Sequence, residues 1–320
     1  MPTVLFTCAG QRVDIVTAFK AAGATTVAAD ASPLAPALYH ADRLAVVPAV
    51  EDPDYLRAVR HLVLTHRIDV IVPLHDLDQP KLAHARGELD ALVLLPEAEV
   101  VELMADKYMA HRFFESRGIG SPPTWLPDEL PAAPPFPVLV KARRGYGSRD
   151  IYLARERDEL EFFLKRTPVP SIVQATCEGS EFSIDVLCDL AGRCLNAIPR
   201  TMIESKGGES IKGATVDDAG LVDLGQTVAE ALPVKGPAAI QCFREPDGTY
   251  RVTDTNPRFG GAFPLPLAAG GRYPELVLAL VGGHRPPPRV GEFRAGVVMT
   301  RFPANVCLTA AGDGAYRPLG

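Results

Sequence analysis

The eight residues DTNPRFGG at 254–261 combine side chains that can hold a metal ion with a cation that can hold phosphate. Asp254 and Asn256 are two residues apart, so on a strand both side chains point to the same face. Their oxygens are ligands that Mg²⁺ accepts while substrate phosphates fill its other positions. Arg258 adds a planar cation near those phosphates. A strand end with solvated polar groups is the alternative, but Arg258 and the following glycine pair favour a binding site.

These residues need a rigid element to position them, and the residues before them predict one. The stretch 238–256 contains two strand-like runs around a Pro-Asp-Gly turn, which is typical of a β-hairpin. The metal-binding side chains would then lie at the end of the second strand.

A second group of phosphate-binding candidates follows the strand-like run FPVLVK. This strand delivers Lys141 at its end and leads into a loop with Gly145, Gly147 and Ser148. Small residues let backbone N–H groups approach phosphate oxygens, and nearby basic residues neutralise their charge. The loop is a weak signal alone, and it is not a Walker A motif because G-x-x-x-x-G-K-[ST] does not occur.

The first hundred residues alternate between strand-like and helix-like segments, which predicts a parallel sheet covered by helices. In the helical segments, apolar residues recur at helical spacing, and the strand segments are short buried runs. The predicted strands are 4–7, 25–30, 44–48, 69–74 and 91–95, and the predicted helices are 12–22 and 55–66.

This region also has one feature of a dinucleotide site, because Asp30 follows Gly10 by about the distance of a ribose-binding acid. The fingerprint G-x-G-x-x-G needs three glycines, and only Gly10 is present. We therefore expect no NAD site, and we expect Asp30 to be a polar residue at a strand end. His75, Asp76 and Asp78 follow the fourth strand and either face a substrate or lie in a solvated loop.

The pattern changes near residue 104. Asp106 is a plausible N-cap for a helix that ends near Arg117, before Gly118. Seven prolines at 121–137 predict a stiff connection rather than a folded element. Beyond them, strand-like runs with turns such as DLAGR predict antiparallel pairing, and therefore a separate α+β domain.

Composition limits the class of protein. A formal charge of −6 argues against nucleic acid or an anionic membrane as the main partner. No apolar run reaches transmembrane length, and the first residues lack the basic region of a signal peptide. The six cysteines form no Cys-x-x-Cys or zinc spacing, which predicts reduced, mostly buried thiols and a cytoplasmic protein.

The order of several short motifs resembles the ATP-grasp ligases, closest to the carbamoyl-phosphate-synthetase-like branch. The motifs are DKY (106–108), PVLVK (137–141), RGYGS (144–148), VQATCEGSEFSIDV (173–186), IQCF (240–243) and DTNPRFGG (254–261). The resemblance implies an α/β N-terminal domain with a parallel, Rossmann-like sheet, followed by an α+β ATP-grasp domain. The implied boundaries are 1–103 for the first domain and 104–290 for the second, divided into a lid at 104–173 and a hinge and metal part at 174–290. Residues 291–320 would form a C-terminal strand and tail that pack on the ATP-grasp core.

The resemblance also implies roles for individual residues. It places the phosphates at Lys107 and Lys141, the adenine at the hinge, and the ribose hydroxyls at Glu181. Arg258 and Arg200 would bind the transferred phosphoryl group or a carboxylate. The remaining implied positions are the closing loop Gly145, Tyr146, Gly147 and Ser148, the hinge residues Gln174, Ala175 and Cys177, and the metal face Gln241, Asp254 and Asn256.

Alternatives stay open at three positions. Lys107 could be a surface lysine, Arg200 a salt-bridge partner, and Cys177 a packing residue. The metal face also departs from the family, which usually has Glu at position 254 and often a second carboxylate at position 241. With one carboxylate, metal affinity must depend on the ATP phosphates, which Mg²⁺ tolerates.

The implied activity is an ATP-dependent carboxylate–amine ligase that forms an acyl phosphate and releases ADP and phosphate. The implied cofactors are ATP and Mg²⁺, with Mn²⁺ as an alternative ion, and the partners are a small carboxylate and an amine, with a homodimer allowed. Two other readings are a silent nucleotide-binding regulatory protein and a dinucleotide-dependent oxidoreductase. Candidate substrate contacts are Lys206, Glu209, Lys212, Gly260 and Gly261, against the alternative of an exposed loop at 201–215.

Overall fold

The computed structural model describes residues 1–145, 151–206, 209–312 and 314–319. Its N-terminal part is a five-stranded parallel sheet in the order β3-β2-β1-β4-β5, flanked by helices. The predicted β-α-β alternation is confirmed. The elements are β1 (Thr3–Thr7), α1 (Val13–Ala21), β2 (Thr25–Asp30), β3 (Arg43–Val46), α2 (Tyr55–His66), β4 (Val70–Pro73), α3 (Gln79–His84) and β5 (Leu92–Val93).

Burial explains why these segments take this form. Strands β1 and β4 are central and buried on both faces, as their continuous apolar runs require. Helix α2 buries Tyr55, Val59, Leu62 and Val63, whose spacing forms one helical stripe.

Two helices lead out of the parallel sheet: α4 (Ala98–Ala105) and α5 (Lys107–Ser116). The Asp106 carboxylate accepts a hydrogen bond from the Met109 N–H at 3.1 Å, which confirms the predicted N-cap of α5. Gly118 follows the helix with a φ of +68°, a left-handed conformation that suits glycine.

The next part is a four-stranded sheet in the order β6-β9-β7-β8, with one helix against it. Its elements are β6 (Thr124–Trp125), β7 (Val138–Ala142), β8 (Ile151–Ala154), α6 (Arg157–Arg166) and β9 (Ser171–Ala175). The prediction that 121–137 contains no folded element was wrong, since β6 pairs with β9 through Thr124 and Trp125. The surrounding prolines favour turns and gave no sign of this two-residue strand, whose Trp125 packs against the core of the sheet.

A second antiparallel sheet, in the order β11-β10-β14-β15, carries most of the candidate site. Its strands are β10 (Ser180–Cys188), β11 (Cys194–Thr201), β14 (Gly236–Arg244) and β15 (Tyr250–Asn256), so both the DLAGR turn and the hairpin around Pro-Asp-Gly are confirmed. The rest of the chain comprises β12 (Glu204–Lys206), β13 (Glu209–Ala214), α7 (Ala219–Ala231), α8 (Pro264–Ala268), α9 (Tyr273–Val281), β16 (Val298–Thr300), β17 (Leu308–Gly312) and β18 (Ala315–Pro318). β16 pairs with β13, and β17 pairs with β18.

One aromatic cluster crosses between the N-terminal sheet and the loop that follows β15. Phe6 contacts Phe19 edge-on at 5.3 Å between ring centroids, and Phe19 contacts Phe259 at 5.9 Å. Phe259 in turn contacts Phe263 at 4.6 Å. The loop after β15 is therefore anchored in the core of the preceding sheet.

Among the described residues, no helix is both long and apolar enough to cross a membrane.

Candidate functional site

A cavity of about 440 Å³ lies where the two antiparallel sheets face each other, beneath the loop after β15. Residues from α5, β7, β9, β10, β11, β14 and β15 reach it. The predicted site residues that line it are Lys107, Lys141, Gly145, Gln174, Ala175, Cys177, Glu181, Arg200, Gln241, Asp254, Asn256, Arg258, Gly260 and Gly261.

Four lining residues form one row across the sheet β11-β10-β14-β15. Arg200 is paired with Ser183, Ser183 with Gln241, and Gln241 with Asp254. Paired residues in adjacent strands point to the same face, so the register directs all four side chains towards the cavity.

At one end of this row lie the residues of the predicted metal face. The Asn256 amide donates to the Asp254 carboxylate at 3.2 Å, so the two side chains share a face as predicted. Lys107 Nζ lies 3.7 Å from Asp254 Oδ1 and donates to the Gly145 carbonyl at 2.9 Å. Lys107 is therefore directed into the site rather than into solvent.

The donor set at this face suits Mg²⁺ held partly by phosphate. Asp254 is its single carboxylate, and no group of three or more His, Cys, Asp or Glu side chains that could hold a metal occurs among the described residues. Mg²⁺ is usually bound by one or two carboxylates together with substrate phosphates. Asp254 would supply the carboxylate here, and the carboxamides of Asn256 and Gln241 line the same cavity.

Lys141 is partly buried and lies on β7, where it lines the cavity. Its ammonium donates to the Gln174 carboxamide oxygen at 2.7 Å, and the Gln174 amide donates to Thr124 at 2.9 Å. Burial lowers the pKa of Lys141 from its ordinary value, and the Asp254 charge opposes that shift. Each end of the Gln174 carboxamide thus makes one hydrogen bond, which fixes its orientation and leaves one further N–H and one lone pair.

The hinge after β9 presents backbone groups to the cavity. The Ala175 N–H is bonded to the Pro123 carbonyl at 2.9 Å, which leaves its carbonyl as the group to offer a ligand. Burial raises the pKa of Cys177 to about 12, with Glu245 adding to the effect, so its thiol is protonated at neutral pH. Burial also raises the pKa of Glu181, while Lys141 and Arg200 oppose the shift.

Arg200 lies at the other end of the row. Its Nε donates to Asp185 Oδ2 at 2.7 Å, and the two side chains are only 4% and 3% exposed. Arg200 is thus a salt-bridge partner, and it also lines the cavity.

Arg258 connects the site to the N-terminal sheet. Its guanidinium binds the Asp76 carboxylate through Nε at 2.8 Å and Nη2 at 3.1 Å. Asp76 is therefore neither a substrate contact nor merely solvated; it holds an arginine of the site. Asp78 fits neither alternative, because it is fully buried and accepts a hydrogen bond from the Tyr55 hydroxyl at 2.7 Å.

A second arginine of the N-terminal part fixes the loop after β15. Arg12 donates to the carbonyls of Phe259 at 3.2 Å and Gly260 at 2.9 Å. Asp30, whose spacing from Gly10 resembles that of a ribose ligand, accepts hydrogen bonds from the backbone N–H groups of Gly10 and Ser32 at 2.8 Å each. Its carboxylate therefore closes the loop after β1, as expected of a strand-end residue.

The remaining predicted residues lie elsewhere. Tyr146, Gly147 and Ser148 fall outside the described residues, as do the side chains of Lys206 and Glu209. Lys212 is absent from the cavity lining and pairs with Glu204 at 2.6 Å.

Two residues of the site were not predicted from the sequence. Asp185 holds Arg200, and Met202 lines the cavity. Strand alternation could have found Asp185, since it lies two residues after Ser183 on β10 and so shares its face.

Comparison with known proteins agrees with this architecture. A family model described as "PylC-like, N-terminal domain" matches residues 4–94, and one described as "ATP-grasp in the biosynthetic pathway with Ter operon" matches residues 167–302. A carbamoyl-phosphate synthase of Methanobrevibacter smithii is 26% identical over 156 residues. That alignment covers 46% of this chain and 41% of the relative, so the match spans about two fifths of the relative's length.

Solved structures share the fold. An L-amino acid ligase from Bacillus licheniformis superposes with a TM-score of 0.70 at 19% identity, covering 88% of this chain and 74% of that one. The biotin carboxylase domain of the Hydrogenobacter thermophilus 2-oxoglutarate carboxylase, in complex with MgADP, ADP and bicarbonate, superposes with a TM-score of 0.73 at 19% identity. The superposition covers 92% of this chain and 73% of the biotin carboxylase domain chain. At these identities the likeness establishes the architecture alone.

Proposed function

Because the chain is an ATP-grasp protein of the carbamoyl-phosphate-synthase-like branch, we propose that it is an ATP-dependent ligase that joins a carboxylate to an amine. The bound nucleotide would be MgATP, and the products would be an amide, ADP and phosphate. The carboxylate would be activated first, as an acyl phosphate.

The observation that carries this proposal is the grouping of charges around one cavity. Two lysines, Lys107 and Lys141, lie near the Asp254 carboxylate, while Arg258 is held at the loop that follows β15. Cations next to an oxygen-rich metal face are what a transferring phosphoryl group requires, since its charge is spread over several oxygens.

Each residue has a defined part in the proposed reaction. The hinge carbonyl of Ala175 and the Glu181 carboxylate bind the adenine and ribose ends of ATP. Lys107 and Lys141 hold the phosphates, and Asp254, Asn256 and Gln241 would hold Mg²⁺, which neutralises charge on the phosphate oxygens.

In the proposed reaction, phosphoryl transfer comes first. A substrate carboxylate oxygen attacks the γ-phosphorus and the bond to the ADP oxygen breaks, giving an acyl phosphate. Arg258 stabilises the equatorial oxygens during that step. The amine then attacks the acyl carbon, phosphate leaves, and the amine loses a proton. The acyl phosphate must be kept from water until the amine attacks it.

Hydroxylamine trapping tests the proposal. The protein is incubated with ATP, Mg²⁺ and single carboxylates from a library, and hydroxamate and ADP are both measured. We expect at least one carboxylate to give ADP and hydroxamate without any natural amine. Lys141→Ala should abolish both products.

Arg258→Ala should reduce trapping more than it reduces ATP binding, because its contact strengthens in the transition state. Steady ADP release with a carboxylate, but with no hydroxamate and no ¹⁸O transfer from that carboxylate to phosphate, would contradict the acyl-phosphate route.

A further inference from the structure

A second cavity, of about 400 Å³, lies where α5 and β6 meet the beginning of β15. Its walls come from the second half of α5, the chain that connects α5 to β6, β6 itself and the side chains of Glu129 and Arg251. None of its described lining residues also lines the candidate nucleotide cavity. The second cavity is nearly as large as the first, and the proposed reaction makes no use of it.

The two cavities lie back to back. A small gap of about 10 Å³ is bordered by His111 and Ser121, which also line the second cavity, and by Lys107, Gln174 and Asp254, which also line the first. A gap of this size holds about one water molecule. His111 Nδ1 lies 2.6 Å from Ser121 Oγ, so this hydrogen-bonded pair forms part of the wall between the cavities.

Arg251 supplies the second cavity with a cation that is largely unused. It is paired across the strands with Phe243, which lines the first cavity, so both side chains lie on the same face of the sheet. Its Nη1 donates to the Ser121 carbonyl at 3.5 Å, and it forms no salt bridge with a described residue. Most of the donors of this guanidinium are therefore available to an anion.

The rest of the lining restricts which anions fit. Trp125 packs on the core of its own sheet and also lines the cavity, together with Ile119 and Pro123. Glu115 and Glu129 bring two carboxylates against the two arginines of the lining, Arg112 and Arg251. A lining of balanced charge does not favour a polyphosphate. A single carboxylate attached to an apolar body matches one available guanidinium beside an apolar wall.

Thr124 connects the second cavity to the residues proposed to bind phosphate. It lines that cavity, and its hydroxyl accepts a hydrogen bond from the Gln174 amide at 2.9 Å. The Gln174 oxygen in turn accepts from Lys141 at 2.7 Å. A ligand that shifts β6 would therefore shift the ammonium group of Lys141.

We propose that the second cavity is a regulatory site for a small monocarboxylate with an apolar or aromatic body, and that its occupancy changes the affinity for the nucleotide. Arg251 binds the carboxylate, and Trp125 contacts the apolar body. The relay from Thr124 through Gln174 to Lys141 carries the effect. The site goes beyond the proposed ligase function, because it lies outside the cavity in which that reaction would take place.

The fluorescence of Trp125 gives a direct test, since Trp125 is the one tryptophan of the chain. The protein without nucleotide is titrated with cyclohexanecarboxylate, benzoate and hexanoate. Cyclohexylmethanol has the apolar body without the charge, while acetate and inorganic phosphate have the charge without the body. We expect a saturable change in emission with at least one of the first three probes and none with the other three. No saturable change with any carboxylate, or an equal change with cyclohexylmethanol or phosphate, would overturn the assignment.

Substitutions locate the bound probe. Arg251→Gln should weaken its binding about tenfold, the scale of one lost charged hydrogen bond, and Arg251→Lys should weaken it less because the charge remains. Arg285→Gln is the control, since Arg285 is exposed and lines neither cavity. Arg258→Gln should also bind the probe normally. Unchanged binding in both Arg251 variants, or a loss in Arg258→Gln instead, would place the probe elsewhere and contradict the proposal.

Calorimetry tests the regulatory effect. A saturating probe should change the MgADP affinity about fivefold or more, and MgADP should change the probe affinity by the same factor. Thr124→Val keeps the shape of the side chain but removes the acceptor of the Gln174 amide, so the probe should still bind while the coupling is lost. No coupling in the unmodified protein, or full coupling in Thr124→Val, would refute this role of β6. Neither measurement requires turnover, so a protein that never releases ADP would contradict the ligase reaction and leave this site intact.

Discussion

At the scale of single residues, the cavity holds charged groups that are costly to keep out of water. Lys141 has its pKa lowered by burial, and Glu181 has its pKa raised by burial. Both shifts mean that the charged form is disfavoured in the folded protein before a nucleotide arrives. Such groups contribute to binding and reduce the stability of the free protein.

Glu181 gives a prediction that depends on pH. Burial raises the pKa of Glu181 in the folded state, so ionisation of this carboxylate lowers the stability of the fold as pH rises, and that loss disappears in acid, where Glu181 is protonated in both states. Glu181→Gln should therefore raise the free energy of unfolding at pH 8, and the gain should shrink as pH falls to 4. Denaturant unfolding across that range measures it. An equal gain at both pH values would mean that ionisation is not its cause.

Removing the Glu181 carboxylate should stabilise the free protein but weaken nucleotide binding. Glu181→Ala should weaken ATP binding by roughly 1–3 kcal/mol, the scale of lost charged hydrogen bonds. Calorimetry with MgATP measures the loss. Glu178→Ala is a control on the preceding exposed turn, and equal affinities of the two variants would remove Glu181 from the nucleotide site.

Asp254 supplies the one carboxylate of the proposed metal face, beside the carboxamides of Asn256 and Gln241. Asp254→Asn should reduce Mg²⁺-dependent ADP production by roughly a hundredfold or more, because a metal ion at the phosphoryl group supplies several kcal/mol. The fold should persist, since the side chain is only partly buried and lies at a strand end. Asp247→Asn, on the turn of the same hairpin, should leave activity unchanged. Normal turnover by Asp254→Asn would exclude this face as the metal site.

At the scale of elements, α5 is positioned by one buried carboxylate. Asp106 caps the helix and also binds Arg143 Nε at 2.9 Å, which connects α5 to the end of β7. Since α5 begins with Lys107 and β7 contains Lys141, the cap sets the distance between the two proposed phosphate-binding lysines.

Asp106→Ala should lower the free energy of unfolding by roughly 2–4 kcal/mol, combining a lost cap with a lost charged hydrogen bond. Asp54→Ala is the matched control, because Asp54 precedes α2 in the same position but makes no capping hydrogen bond with its side chain. Urea unfolding compares the two variants. If both lose the same stability, the cap and the Arg143 contact contribute nothing.

The elements also show how far sequence reasoning reaches. The parallel alternation, the cap of α5 and the hairpin around Pro-Asp-Gly were predicted because each depends on local residue types. Strand β6 was missed because its two residues lie among prolines and pair with β9, about fifty residues away. Similarly, the face that Asp254 shares with Asn256 follows from strand periodicity, whereas the Asp76–Arg258 pair spans 182 residues and has no local signal.

At the scale of the whole molecule, that pair joins the parallel sheet to the proposed chemistry. Asp76 follows β4, while Arg258 follows β15, and the two bonds between them fix the plane of the guanidinium. Arg12 fixes the same loop through backbone carbonyls. The N-terminal sheet thus supports the site without lining the cavity itself.

Asp76→Asn should lower kcat about tenfold, because Arg258 loses the charge that orients it, while MgADP affinity stays the same. Steady-state kinetics and calorimetry separate the two effects. Asp52→Asn, an exposed carboxylate in the same sheet domain, is the control. A parallel loss of nucleotide affinity would show that Asp76 acts through the general fold instead.

The aromatic contacts that run from Phe6 and Phe19 to Phe259 and Phe263 limit where this chain could be cut and rejoined. A recombination point near residue 104 would look natural from the sequence, since the pattern of elements changes there. It would nevertheless divide one apolar core, leaving Phe259 facing the helix of a foreign sheet. A chimaera made at this point would therefore need aromatic residues that match α1 before the shared core could form.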